Sequence, residues 1–389
     1  MISNEPRVGG DASVRNPHID LLRGVAILLV VIHHLQIRMP MEDSAWFSWL
    51  PARFLRGVGS HGYEAVFLFF VISGFLITSN ALSWWGRLDR IDLRVFYARR
   101  FARIVPCLLV LVLVLSFLHG LGVTHYTIVH ANQSLPRAIV AALGFHVNWY
   151  EGQTGYLPGN WDVLWSLSIE EMFYIAFPVV CLLLRWRGLL VAFLVGLAIS
   201  IPWARAALAG NEIWQEKAYL PGMAAIAAGV LAALLARRVQ PPRAGAVIAL
   251  AMVGALGFGV VVFTDDVLWQ ALKDFGLLLL TGSAACLVLA GHWLECSSRS
   301  GTYWGTASVR AFGRLSYEIY LTHMFVVFTV LELFERSGAD ARFEPLWYGV
   351  TVALCLGLGV LVDQGLSTPC NRALRKWLIT APLQPSPRG

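Results

Sequence analysis

Two stretches of this chain, residues 105–123 and 272–291, are apolar almost without interruption over the length that a bilayer crossing requires. A helix needs about 20 such residues to span a hydrocarbon layer of about 30 Å, because each residue advances it by about 1.5 Å. Apolar stretches of similar length recur along the chain. Expected spans lie at 19–38, 63–83, 105–123, 161–184, 188–206, 219–236, 244–263, 270–292, 312–333 and 346–366. Pro40, Pro51, Pro158, Pro241, Pro242 and Pro345 fall between them, where helix breakers belong. The segment 136–147 is too short to cross and reads as re-entrant or interfacial. Composition agrees: 14% of residues are charged, against about 25% in soluble domains. The pattern specifies an all-α polytopic integral membrane protein of about ten transmembrane helices.

The charges report topology. Arginines cluster between the apolar segments and no basic run is interleaved with stacking aromatics, so the net charge of +6 is not a nucleic-acid footprint. With the N-terminus inside, 20 of the 30 Lys and Arg residues fall on cytoplasmic segments, 9 fall outside, and Arg23 lies within a span. The positive-inside rule therefore expects both termini in the cytoplasm. The expected division is a tail over 1–18, a transmembrane domain over 19–366 and a second tail over 367–389, Pro-rich and disordered after Lys376. The run after the first tail holds Asp20, Arg23, His33 and His34 and lacks a small-residue cleavage site, so no removable signal peptide is expected. Six cysteines form no CxxC pair, and the dispersed histidines His119, His125, His130 and His146 lack ligand spacing; neither a disulfide framework nor a metal site is indicated.

Some charges sit where lipid would penalise them. Asp20, Arg23 and His34 fall in the first span, and a central ionised residue costs about 2.5–3.5 kcal/mol on insertion scales. Arg23 and His34 are eleven residues apart, which returns to within about 20° on a helix and separates them by about 16 Å along it. His33 points about 80° away from that face. The alternative is a histidine hydrogen-bonded in the bundle and an arginine snorkelling to the interface. In FYARRFARIVP, Arg99, Arg100 and Arg103 precede the third span, with Arg100 and Arg103 as i, i+3 neighbours. Their spacing alone suits contact with anionic lipid better than a phosphate clamp, though guanidinium forks fit both. In WSLSIEEMFY, Glu170 and Glu171 follow Ser166 and Ser168, and Glu170 lies more than two turns beyond Trp161, too deep for helix capping. Ser73 and Gly74 read most simply as small residues for close helix packing. Trp149, Tyr150, Tyr156 and Trp161 suit an interfacial aromatic belt or, less commonly, a sugar platform. The chain contains no G-x-S-x-G elbow and no P-loop.

In this order the blocks resemble the acyltransferase-3 family of membrane O-acyltransferases. IDLLRGVAILLVVIHH carries that family's Arg/Lys-x10-His signature at Arg23 and His34. FFVISGFLI, RRFARIVP and LWSLSIEEMFY match three further blocks. FGRLSYEIYLTHMFV, at 312–326, looks like the closing block, with Gly313, Ser316, Tyr320 and His323 in their places. The resemblance covers roughly residues 19–366. Where relatives often read Gly-Val-Asp, this chain has Ala65-Val66-Phe67, which removes any acid at 67; an SGNH hydrolase-like domain, present in many relatives, is not expected here.

The resemblance implies transfer of an acyl group, most often acetyl, from cytoplasmic acyl-CoA to an acceptor hydroxyl. In relatives that acceptor is an envelope glycan or glycolipid, such as lipopolysaccharide or exopolysaccharide, or a small glycosylated molecule such as a macrolide. It implies residence in the bacterial cytoplasmic membrane, acetyl-CoA as co-substrate and no metal. His34 would be the base or a transient acyl carrier. Arg23 would hold the pantetheine end or the thioester oxyanion. Arg100 and Arg103, with Arg99 beside them, would bind CoA phosphates. Glu170 would orient His34 or help position the acceptor, and Ser73, Ser168, Glu171 and His323 would contact substrate. Two other readings remain open: a proton-coupled transporter, since intramembrane His, Arg and Glu also build proton relays, and a non-catalytic lipid- or glycan-binding membrane partner.

Overall fold

A computed structural model describes residues 15–41, 50–263, 272, 275–297, 304–338 and 343–380. Of the 30 Lys and Arg residues counted for topology, Arg7, Lys273, Arg299, Arg342 and Arg388 lie outside the described residues, as do the first fourteen residues and the last nine.

The chain opens with α1 (Pro17–Gln36), set by Asn16, whose side chain accepts from the His18 and Ile19 amides, and by Pro17 at the first helical position. A short α2 (Ala52–Gly59) leads to α3 (Gly62–Trp85), which ends at Gly86 with φ +72°, a left-handed stop that suits glycine. Asp92 caps α4 (Leu93–Gly120) by accepting from the Val95 amide. At 28 residues α4 is about 42 Å long, so its arginine-bearing first turns extend beyond the hydrocarbon layer. Three short helices follow, α5 (Leu135–Leu143), α6 (Val147–Thr154) and α7 (Gly159–Asp162), before α8 (Leu164–Leu183). The nine-residue α5 is too short to cross.

Next come α9 (Arg187–Ile199), α10 (Ile201–Ala206), α11 (Glu212–Lys217), α12 (Tyr219–Arg238) and α13 (Ala244–Phe263). The chain closes with α14 (Phe275–Ser297), α15 (Ala307–Arg314), α16 (Ser316–Ser337), α17 (Glu344–Val362) and α18 (Thr368–Thr380).

Among the described residues, nine helical segments have the length and apolar character to cross a membrane. The difference from the expected ten lies in 188–206, which forms α9 and α10 with a break at Ser200. Pro202 cannot donate a backbone hydrogen bond there, and a thirteen-residue α9 reaches only about 20 Å. Both pieces pack against α12. At the other end, 368–380 is helical: α18 continues from α17 through a π-helical turn over Asp363–Ser367 and returns along α4, where Arg94 donates to the Leu378 carbonyl (3.4 Å).

Two glycine contacts set the spacing of the bundle. A Cβ on Gly74 would collide with the Ile226 carbonyl, and one on Gly229 with the Val71 carbonyl, so α3 and α12 touch backbone to backbone. Gly24 and Gly313 do the same for α1 and α15, meeting the carbonyls of Val309 and Asp20. In lipid, where burial of apolar surface does not drive helices together, such close packing supplies the attraction. Replacement of Gly229 by Leu is expected to cost at least about 3 kcal/mol, the upper end of the overpacking range. It should therefore lower the thermal transition and monodisperse yield in detergent. Gly245→Leu, at a position with nothing within 4 Å of an added Cβ, should leave both unchanged.

Candidate functional site

Helices α1, α3, α4, α8 and α16 enclose a cavity of about 940 Å³, counting the space open at its mouth. Arg23 projects into it from α1 and donates from Nε (3.1 Å) and Nη2 (2.7 Å) to the hydroxyl of Ser316, the first residue of α16. Glu170 enters from α8; its carboxylate accepts from the Ser73 hydroxyl and, at 3.4 Å, from Tyr174. Arg100 and Arg103 line the α4 wall. Arg100 lies 4.0 Å over the Tyr174 ring and Arg103 6.0 Å from the Tyr317 ring centre, so both cations rest on aromatic faces rather than on carboxylates. Arg99 points elsewhere, over Trp84 at 4.1 Å.

This cavity adjoins a wider one. The second holds about 2050 Å³ and shares Arg23, Leu76, Asn80 and Arg103 with the first. Arg15 and Arg314 stand on its wall, with Arg15 3.6 Å from the otherwise buried Asp20. The two together form a passage, cationic along much of its length, running from the arginine-rich end of the bundle to Glu170 and Tyr320.

His34 does not line that passage. One helix face carries Arg23 and His34, but the axial rise of about 16 Å puts them in different surroundings. The His34 ring meets the ring of His323 from α16, centroids 5.1 Å apart. His323 is fully buried, and its Nδ1 lies 2.8 Å from the Tyr320 carbonyl and 3.2 Å from that of Ile319. Carbonyls only accept, so Nδ1 carries the proton and Nε2 keeps a lone pair. That Nε2 and the Nδ1 of His34 are both buried without a hydrogen-bond partner among the described residues. Tyr320 links this pair to the cavity: its ring stands 5.8 Å from that of His323, and its hydroxyl lies 2.6 Å from Ser166 Oγ and donates to the Val163 carbonyl (3.1 Å). Glu170, expected to orient His34 or help position the acceptor, lines the cavity and accepts from Ser73 and Tyr174; among the described residues it makes no hydrogen bond to His34.

Besides His323, two residues expected to touch substrate lie away from the cavity. Ser168 donates to the Leu164 carbonyl and accepts from the Val147 amide, fixing α6 against α8. Glu171 is buried on another face of α8 and does not line the cavity. The four aromatics around α6 and α7 do not make one platform: Tyr150 and Trp161 are buried, whereas Trp149 and Tyr156 are exposed.

Beyond the histidines lies a polar cluster that sequence reading missed. Lys217, one of the nine cations on segments expected outside, is buried; its ammonium is 2.9 Å from Glu151 and also paired with Asp162. Asn148 donates to the Lys217 carbonyl (3.0 Å), and Glu151 accepts from the Leu157 amide (3.0 Å). Burial, with Asp162 nearby, pushes the Glu151 carboxyl well above the usual carboxylate range against the opposing pull of Lys217. Arg38, one turn past His34, donates to the His34 carbonyl (2.7 Å) and covers the Phe328 ring at 4.8 Å. The signal available in sequence was slight: Lys217 is one of three lysines in the chain. Lys217→Ala should strand the buried Glu151 and leave the half-buried Asp162 unpaired, destabilising the protein by about 3–5 kcal/mol. Thermal unfolding in detergent measures this, and Glu151→Gln combined with Lys217→Ala should recover part of the loss.

Comparison with known proteins is consistent in one direction. A family model described as an acyltransferase domain matches residues 16–363. The peptidoglycan O-acetyltransferase OatA of Listeria monocytogenes is 29% identical over 220 residues, which are 53% of this chain and 29% of that protein. The O-acetyltransferase OatA of Staphylococcus aureus is 32% identical over 185 residues, 44% of this chain and 25% of that protein. A further S. aureus protein, named provisionally as an O-acetyltransferase, is 25% identical over 383 residues, 92% of this chain and 57% of its own length. The matches thus span about a quarter to somewhat over half of these relatives. No solved structure matches the chain.

Proposed function

Because the chain belongs to the acyltransferase-3 family, we propose that it moves an acetyl group from cytoplasmic acetyl-CoA to a hydroxyl of an envelope glycan. The single observation that carries this reading is the arginine-lined passage ending at Tyr320 and the His323–His34 pair. The names of the relatives, one a peptidoglycan O-acetyltransferase, favour a glycan acceptor. The passage fits the donor chemically. CoA joins a nucleotide bearing several phosphates to a long neutral arm that ends in the thioester, and Arg15, Arg103 and Arg314 offer guanidinium forks along the wide part of the passage. Arg23, fixed by Ser316, presents N–H groups deeper in, where they would hold a carbonyl of the neutral arm on its way to His34.

In the proposed reaction His34 takes the proton of the acceptor hydroxyl as its oxygen bonds to the thioester carbonyl carbon. The tetrahedral oxyanion collapses with cleavage of the C–S bond, and the departing thiolate takes up a proton to give the CoA thiol and the O-acetyl ester. His323, its Nδ1 proton held by backbone carbonyls, keeps its own Nε2 lone pair unbonded beside the His34 ring. Tyr320 stands between cavity and histidines, so its side chain has to give way for the thioester to reach the imidazole. Both termini lie in the cytoplasm in this reading, and the donor enters from that side.

The test is acetyl-CoA consumption by the full chain in nanodiscs, with mass spectrometry of acetylated glycan fragments. His34→Ala should lower kcat by about 10²–10⁴-fold, the usual contribution of a general base. Undiminished transfer by a folded His34→Ala protein would overturn the assignment. In the same assay, Arg100→Gln with Arg103→Gln should raise KM for acetyl-CoA by about tenfold or more with little change in kcat, as loss of uniform phosphate binding does.

A further inference from the structure

A third cavity shares no lining residue with the passage and has no part in the acetyl-transfer reading. It holds about 1000 Å³ between the C-terminal ends of α3, α8 and α12 and the start of α9. Five arginines reach it: Arg87, Arg185, Arg187, Arg237 and Arg238. The lone carboxylate among them, Asp89, is already taken by Arg87, with Nε to Oδ1 at 2.8 Å and Nη2 to Oδ2 at 2.6 Å. The other four guanidiniums make no ion pair among the described residues. Read from sequence, these arginines are topological charges at span ends. That role does not require them to converge, and the fold brings them from three separate segments to one concave site.

Four unpaired guanidiniums around a hollow create a field that only an anion with several oxygens satisfies, and the fork geometry of arginine matches phosphate best. The walls restrict the class further. Leu88, Cys181 and Leu190 are buried there, with Leu82, Leu184 and Leu234 beside them, so the interior is hydrocarbon under a cationic rim. Next in sequence to lining residues, large apolar side chains lie bare: Leu183 is 75% exposed, Trp186 71% and Leu189 55%. A soluble phosphate has no use for that surface. A phosphate carrying acyl chains does, and a tryptophan at the end of a spanning helix belongs at headgroup level. We propose that this cavity is a binding site for an anionic phospholipid. Arg185, Arg187, Arg237 and Arg238 hold the headgroup phosphate, and the acyl chains run over Leu183, Leu189 and Leu235. Since α8, α9 and α12 all contribute, the lipid ties the broken α9–α10 segment to the bundle at the end where the arginines are concentrated.

Native mass spectrometry of the full chain in mild detergent, offered equal amounts of phosphatidylglycerol and phosphatidylcholine, tests this. Phosphatidylglycerol should be retained selectively. The triple variant Arg185→Gln, Arg237→Gln, Arg238→Gln should lose about 100-fold in affinity, from about fivefold per guanidinium near a membrane surface. Arg238→Gln alone should lose about fivefold, which keeps the proposal testable if the triple variant misfolds. Arg90→Gln, a nearby arginine that does not line the cavity, should bind as wild type. Equal retention of the two lipids, or undiminished phosphatidylglycerol binding in the folded variants, would overturn the proposal. So would displacement of phosphatidylglycerol by adenosine 3′,5′-bisphosphate, which would make the cavity a soluble-nucleotide site.

Discussion

Inside an apolar bundle a guanidinium has no water to turn to, so the protein must supply its partners. Arg23 meets that requirement through Ser316, and the consequence reaches far beyond the pair. The contact joins the first long helix to the last third of the chain, 293 residues later, and fixes α16 beside α1. Once α16 is there, His323 faces His34, Tyr320 closes the cavity, and Tyr317 rests near Arg103. A polar group that would be a liability in lipid thus sets the register of the helices that build the site.

Close packing makes that register possible. The Gly24–Gly313 approach holds α15 against α1 just before the turn that presents Ser316, while Gly74 and Gly229 bring α3 and α12 into backbone contact behind the cavity. A side chain at any of the four would push the walls apart by more than the hydrogen bonds at Arg23 and Glu170 tolerate. Packing and polar satisfaction are therefore two sides of one constraint: small residues let helices approach, and the approach lets buried polar groups find each other.

The molecule separates its charges by use. Arg23, Arg100 and Arg103 rest on a hydroxyl or on aromatic rings and stay available to an anion. On the far side of the histidines, Lys217 is saturated by Glu151 and Asp162 and packed beneath Tyr156, an arrangement that holds the short helices α6, α7 and α11 together over the bundle. Available cations on one side and neutralised ones on the other give the site a direction.

The spans were legible because length and hydropathy are properties of a line. A run such as 105–123 can satisfy its backbone as a helix whatever surrounds it. The shared face of Arg23 and His34 was legible for the same reason, being fixed by helical periodicity alone. Sequence also carried the ordered blocks that pointed to the acyltransferase-3 family. It did not carry the break at Ser200, where one proline inside an apolar run could as well have been absorbed as a kink. Nor did it carry the division of Arg23 and His34 between a cavity and a histidine pair, since that depends on where Tyr320 falls. Glu170 with Ser73, Lys217 with Glu151, and the convergence of Arg185, Arg237 and Arg238 all join residues far apart along the chain. Their partners are chosen by which helices pack together, and in a membrane that choice rests on shape and hydrogen bonding between helices, which no single stretch of sequence contains.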